Sequence, residues 1–542
     1  AEEEEEAKGG LEGKDAEEGP EGEEEGEKFT VDDCAVSCML LGSITFVMGL
    51  FYLVNWHDDD IRRYSWKIIS TTILIFLAVL LFQGFNEIVL HLLEDFGEHA
   101  LCAAQFAHCF AYIAMLELTV GVLSGAVLET NLVDLDSESW VINDALRTDY
   151  GRRVKEERVR NRAATRSVVI DEWGMEVGVK KMKVELGERK LKMKCYARLL
   201  AHMAGFAAIN AGATMQQLEL YSTDPAFALW PVVFTELVIL AVFWLLSRLR
   251  EQLKAAALKD GQSCRRAVLA NEELREAEDD ISSLSMSFLI VQVLRFAVTG
   301  VLPNAEGLEA PEVHHSNMSI FLLYWFAFMF LVVSVVLIMA QAKGDEGGEG
   351  CRDRLVHISL NSNAMGFAWC VLWATRWACA KLPSFAGTIM ERVIVALLLS
   401  GLSCLAVFLL DFVDDVHRGQ EDSAAGARAI AILVNALGIL IGFSWEDCFD
   451  GSVAAVASLS QDHPEVVKFV MGVAIAVLIT PMWRRHILTK EVALEQLKED
   501  REQHLAARMH AEYETAMPCL GCMPNFFFRH RLLGKTRAVR AS

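Results

Sequence analysis

Asn435-Ala436-Leu437-Gly438-Ile439-Leu440-Ile441-Gly442-Phe443-Ser444-Trp445-Glu446-Asp447-Cys448-Phe449-Asp450 is an apolar run with two glycine notches that leads into three carboxylates. Gly438 and Gly442 have the small-x-x-x-small spacing that lets membrane helices approach closely, so packing is their first expected role. Offsets of four and eight residues place Gly442, Glu446 and Asp450 on one helical face.

Weaker copies of this stretch lie upstream. Asn363-Ala364-Met365-Gly366-Phe367-Ala368-Trp369 keeps its start and finish in compressed form, and Gly205-Phe206 and Gly84-Phe85 keep the Gly-Phe step. Ser287-Phe288 carries serine in place of the glycine. The runs after Ser287 and Gly366 end alike, in Arg295-Phe296-Ala297…Leu302-Pro303 and Arg376-Trp377-Ala378…Leu382-Pro383. The anchors are evenly spaced: 287 − 205 = 82, 366 − 287 = 79 and 442 − 366 = 76. A near-constant step marks repeated supersecondary units, and each unit here holds two long apolar runs, which makes it a helical hairpin. The step from Gly84 to Gly205 is 121, and a polar insertion accounts for the excess.

Apolar runs close to 20 residues recur along the 542-residue chain, which is 53% hydrophobic. That length crosses about 30 Å of hydrocarbon. Alternating strand-like segments are absent, so the spans are helices and not barrel strands. The expected fold is all-α: a polytopic membrane helical bundle of about eleven spans, one leading helix plus five hairpin repeats of roughly 80 residues.

The expected organisation is an acidic disordered tail (1–33), spans one to three (34–129) and a basic insertion (130–195). Spans four to eleven follow (196–485), with a connector helix at 248–283, and the chain ends in a helix and basic tail (486–542). Residues 1–30 hold fourteen acidic and three basic side chains, net −11, too polar to fold alone and unsuited to nucleic acid. In the insertion, Ser167–Val179 reads as a short β-hairpin between helices. After the last span, 484–515 reads as an amphipathic, solvent-exposed helix, and 431–460 is open to being one long helix.

Lysine and arginine concentrate in the insertion, the connector and the C-terminus, so that side is expected to be cytoplasmic, with the N-terminus on the lumenal or extracytoplasmic face. The sequon Asn317-Met318-Ser319 agrees with this. The implied partners are the lipid bilayer and, through 130–195 and 486–542, a cytoplasmic protein or anionic lipid.

Charges inside a membrane are costly and usually face a bundle interior, pair, or mark an ion route. The pathway candidates are Glu117, Glu236, Glu446, Asp450 and Glu87, with Arg295 and Arg376 as pairing or gating groups. The bland alternative places Glu87 at a span end, in contact with water. The chain shows no phosphate-cradling loop, nucleophile elbow or His-Glu-x-x-His, so no enzyme, cofactor or metal is expected. His91, His99 and His108 are spaced eight and nine apart, poor for metal ligation on one helix. Thirteen scattered cysteines form no disulfide framework, and Cys519-x-x-Cys522 stands alone. Two functions fit: a transporter or channel for a cation or proton, or a non-transporting scaffold or subunit of a larger membrane assembly.

Overall fold

The computed structural model describes residues 31–93, 96–124, 165–257, 265–309, 315–343, 351–381, 389–417, 423–460 and 463–498. Residues 1–30 of the acidic tail, the first part of the insertion, Cys519 and Cys522, and the basic C-terminal tail lie outside the described residues, while 31–33, expected in the tail, begin the first helix. Among the described residues there are eleven α-helices and no strand. They are α1 (Val31–Val54), α2 (Asp59–Leu92), α3 (Glu98–Ser124), α4 (Thr165–Gln217), α5 (Pro225–Ala257), α6 (Arg265–Thr299), α7 (Asn317–Lys343), α8 (Cys351–Cys379), α9 (Ile389–His417), α10 (Ser423–Ala457) and α11 (Pro464–Met482). The helix beyond α11 continues through a π-turn, Trp483–Leu488.

Among the described residues, nine helices are long and apolar enough to cross a membrane. The other two are α1 and α4. The apolar helix α1 lies at the periphery, where Leu40, Leu41, Ile44, Val47 and Phe51 are exposed. At its centre α4 is built from alanine and glycine, and Ala201, Ala204, Ala207, Ala208, Ala211 and Ala213 are wholly buried. Protein surrounds α4, so it does not need lipid-facing bulk.

Helices α2, α4, α6, α8 and α10 form a closed ring in which each packs on the next and α10 returns to α2. All five run the same way, because residue numbers rise together across every seam. Phe82 meets Phe206 and Asn86 meets Asn210. Gly205 seats Leu284, and Gly212 seats Leu289. Asp279 binds Arg354 and Phe288 meets Trp369; Trp369 meets Phe443 and Arg376 binds Asp447. Gly438 lies on Ile68 and Gly442 on Ile75.

Parallel neighbours cannot be joined by a short turn, so each step needs a returning helix. These returning helices form the outer layer: α3 packs on α4, α5 on α6, α7 on α8, α9 on α10 and α11 on α2. Large apolar side chains on this layer face outward, among them Trp230 and Leu237 of α5, Phe321 and Val336 of α7, and Leu402 and Leu409 of α9. This apolar girdle meets lipid, and the chain is a multi-pass integral membrane protein.

One aromatic residue from each inner helix fills the middle of the ring. Phe82 lies 6.2 Å from Phe206, Phe206 5.8 Å from Phe443, Phe443 4.0 Å from Trp369, and Trp369 5.0 Å from Phe288 (centroid distances). Helices α4 and α10 are not ring neighbours, so the Phe206–Phe443 contact runs across the interior. The Gly-Phe step supplies Phe206 and Phe443, and its serine variant supplies Phe288. In α2 the plug residue is Phe82, while Phe85 packs outward on Phe469; in α8 it is Trp369, while Gly366 seats Phe330 of α7. Gly84 and Gly366 are therefore seats for outer helices.

Three sequence expectations are corrected. Residues 167–179 belong to helix α4 and form no β-hairpin, because the Lys-, Glu- and Met-rich run that follows favours helix and a helix propagates cheaply once nucleated. The stretch 248–283 is not a single connector helix: its start is the tail of α5 and its end the first turns of α6. Residues 484–498 are not simply solvent-exposed, since Trp483, Leu488 and Glu491 are buried. Residues 431–457 form one helix with the rest of α10.

Candidate functional site

The inner helices are parallel, so all five finish at one end of the ring, at Leu92, Gln217, Thr299, Cys379 and Ala457. Each helix C-terminus carries about half a negative charge. Three of the five carboxylates singled out from the sequence, Glu87, Glu446 and Asp450, are gathered at this end. Glu87 of α2 and Asp450 of α10 converge on Lys468 of α11, whose Nζ lies 2.5 Å from Glu87 Oε1 and 3.2 Å from Asp450 Oδ1. Lys468 reaches them because α11 packs against both α2 and α10.

Glu446 lies one turn before Asp450. The charged groups that act on it are Asp450, Asp447, Arg392 and Lys468. Asp447 turns the other way and pairs with Arg376 of α8 at 3.1 Å and Arg392 of α9 at 3.3 Å. Below this group, Asn210 Nδ2 donates to Asn86 Oδ1 (2.9 Å) next to the aromatic plug.

The segment after α6 folds back over the same end. Gly300 (φ 75°) and Gly307 (φ 78°) take left-handed backbone that glycine adopts without strain. Gln217 and Gln292 donate to the carbonyl of Pro303, and Arg295 Nη1 donates to that of Gly307. Arg295 is 1% exposed; its Nη2 lies 2.6 Å from Glu309 Oε1 and its guanidinium 3.7 Å from the Trp373 ring. Glu309 Oε2 also accepts from Trp377 Nε1 and contacts His315 Nε2, whose ring stacks on Trp377. Burial alone would push the Glu309 carboxyl upward, but the His315 hydrogen bond and the Arg295 charge hold it below the ordinary value. Glu306, at the turn of this segment, faces Lys468, Asp450 and Glu87.

Among the side chains just described, six carboxylates (Glu87, Glu306, Glu309, Glu446, Asp447, Asp450) face four cations (Arg295, Arg376, Arg392, Lys468), 4 − 6 = −2. The helix C-termini add to the negative side of this balance.

Of the residues singled out from sequence, Glu87, Glu446 and Asp450 meet here, Arg376 joins through Asp447, and Arg295 borders the group. Glu117 and Glu236 do not. Glu117 pairs with Arg250, which also binds Glu278 at 2.7 Å, near the opposite end. There Arg354 binds Glu278 and Asp279, and Arg198 binds Glu491, each at 2.7–2.8 Å. Glu236 lies within the bundle against Ser285. Lys468, Arg392, Glu306 and Glu309 were missed in sequence. The available signal was the lone lysine in Val466-Val467-Lys468-Phe469-Val470; nothing in the 303–309 loop marks it as folding inward.

Among the described residues, Asp58, Asp60 and Asp411 bring carboxylate oxygens within 4.8 Å of one another. Asp58 caps α2 by accepting from the amides of Asp60 and Ile61, and Asp60 pairs with Arg63, so helix capping explains two of the three. Comparison with protein-family models, with curated proteins and with solved structures returns no match.

Proposed function

We propose that the chain is a non-enzymatic membrane transport protein for a cation or proton, built as five hairpin repeats around the inner ring and closed in this conformation. The observation that carries the reading is the negative mouth formed by Glu87, Glu306, Glu446 and Asp450 directly above the aromatic plug. A preorganised carboxylate mouth with low-dielectric walls raises the local cation concentration. Lys468 occupies the mouth as a tethered counter-ion that an entering cation displaces. By the lysine and arginine bias the Arg198–Arg250–Arg354 end is cytoplasmic, so the mouth and the N-terminus face outward or into a lumen.

Cation or proton flux into vesicles containing the purified protein tests the reading. Glu446→Gln should reduce flux, Glu117→Gln should leave it unchanged, and Phe443→Ala, which thins the plug, should increase it. Wild-type flux at the level of empty vesicles, unchanged by Phe443→Ala, would sink the proposal. That outcome favours the second reading, a membrane scaffold or subunit. The packed interior and the arginine pairing of Glu117, Asp447 and Glu309 support the scaffold, with 130–195 and 486–542 as its docking surfaces.

A further inference from the structure

Away from the mouth, Glu236 of α5 is 8% exposed inside the bundle, and among the described residues no cationic side chain pairs with it. An isolated carboxylate at such depth is costly unless something compensates it. Its surroundings are oxygens. Ser285 Oγ lies 2.6 Å from Glu236 Oε1, 3.0 Å from the Ile281 carbonyl and 3.2 Å from that of Ser282. A hydroxyl has one proton to donate, so it cannot satisfy three acceptors at once. Ser282 Oγ is turned toward the same carboxylate without making a hydrogen bond of normal geometry, and Ser282 is wholly buried. The region has surplus oxygen acceptors around a carboxyl group with no cationic partner among the described residues.

We propose that Glu236, Ser282 and Ser285 form a sodium site between α5 and α6. Hard cations take oxygen ligands, and the set is a carboxylate with hydroxyls, without nitrogen or sulfur. A single carboxylate neutralises a monovalent ion, whereas a divalent ion would leave an unpaired positive charge in a low dielectric. Ser282 and Ser285 are both wholly buried, and such close packing favours the smaller alkali ion. The site is separate from the mouth and does not depend on transport, since a structural sodium ion would suit a scaffold equally well.

The test is a thermal melt of the purified full chain in detergent, in sodium, potassium or choline chloride at matched ionic strength. A ligand that binds only the folded state raises the midpoint with its concentration. Sodium should shift the midpoint upward and saturate, choline should not, and Glu236→Gln should abolish the shift. Ser285→Ala and Ser282→Ala, which lose one oxygen each with little change of volume, should raise the half-saturating sodium concentration at least tenfold. A wild type indifferent to sodium, an equal shift in Glu236→Gln, or a potassium response as strong as that to sodium overturns the assignment. Each outcome is read without flux, so its failure leaves the transport reading standing and the failure of transport leaves the site standing.

Discussion

Replacing Arg295 with Met removes a buried charge while keeping most of the side-chain volume. Arg295 is 1% exposed and Glu309 9%, at 2.6 Å, so solvent screens the pair little. Removing one partner of such a pair costs about 3–5 kcal/mol. The lower end applies here, because Glu309 keeps Trp377 Nε1 and His315 as partners. Loss of the desolvated cation–π contact with Trp373 adds up to about 2 kcal/mol, and the Gly307 carbonyl loses its donor at about 1 kcal/mol. The expected cost of Arg295→Met is therefore about 5 kcal/mol. In Arg295→Met/Glu309→Gln no uncompensated charge remains, and the cost should fall below the sum of the two single variants by at least about 2 kcal/mol. Reversible unfolding in mixed micelles, titrated with a denaturing detergent and followed by circular dichroism, measures all four corners of the cycle. Additive single costs, or an Arg295→Met within about 1 kcal/mol of wild type, would refute the pairing.

The Glu309 carboxyl sits below its ordinary value of 4.5, so its stabilising effect is complete above that value and is lost as pH falls through the lower folded value. Melts from neutral pH down to about 3 should show the wild type losing its advantage over Glu309→Gln only on the acid side. Gly442→Leu should destabilise by about 1–3 kcal/mol or more, because a Cβ there already comes within 2.7 Å of Ile75 Cδ1 and the added branch has no room. Gly49→Leu, where a Cβ meets nothing within 4 Å, should be close to neutral in the same melt.

The helical hairpins were legible because a membrane imposes one rule on every span, a long apolar run, and the anchors Gly205, Ser287 and Gly442 fall at similar steps. The inner and outer roles were partly legible too: small residues mark the inner helices, while the bulk of Trp230 or Phe321 marks a surface against lipid. The register of the plug was not. Phe82 and Phe85 differ by three residues, and from the sequence of α2 alone either one can point inward; the choice is made by α4 and α11, which lie far away in the chain. The same limit applies to the carboxylates. Glu446 and Asp450 share a helical face by arithmetic, but whether Glu117 joined them or met Arg250 depends on how α3 and α5 are placed. Lys468 illustrates the converse case: a lone lysine in an apolar run signals a partner without saying which.

The ring closes where its first member meets its last, and this orders events during synthesis. Glu87 and Lys468 are separated by 381 residues, and Ser70 and Trp483 by 413. At about 5–20 residues per second, α2 waits on the order of 20–80 s after its own translation before α10 and α11 exist to cover it. During that interval the face of α2 that carries Ile68, Ile75 and Glu87 needs a temporary neighbour, whether lipid, an insertase or another nascent chain. A ribosome that stops before residue 423 leaves a four-membered arc with one open seam. Such a fragment is a ready acceptor for a complementary C-terminal piece, so the two halves made as separate polypeptides are expected to find each other in the same membrane.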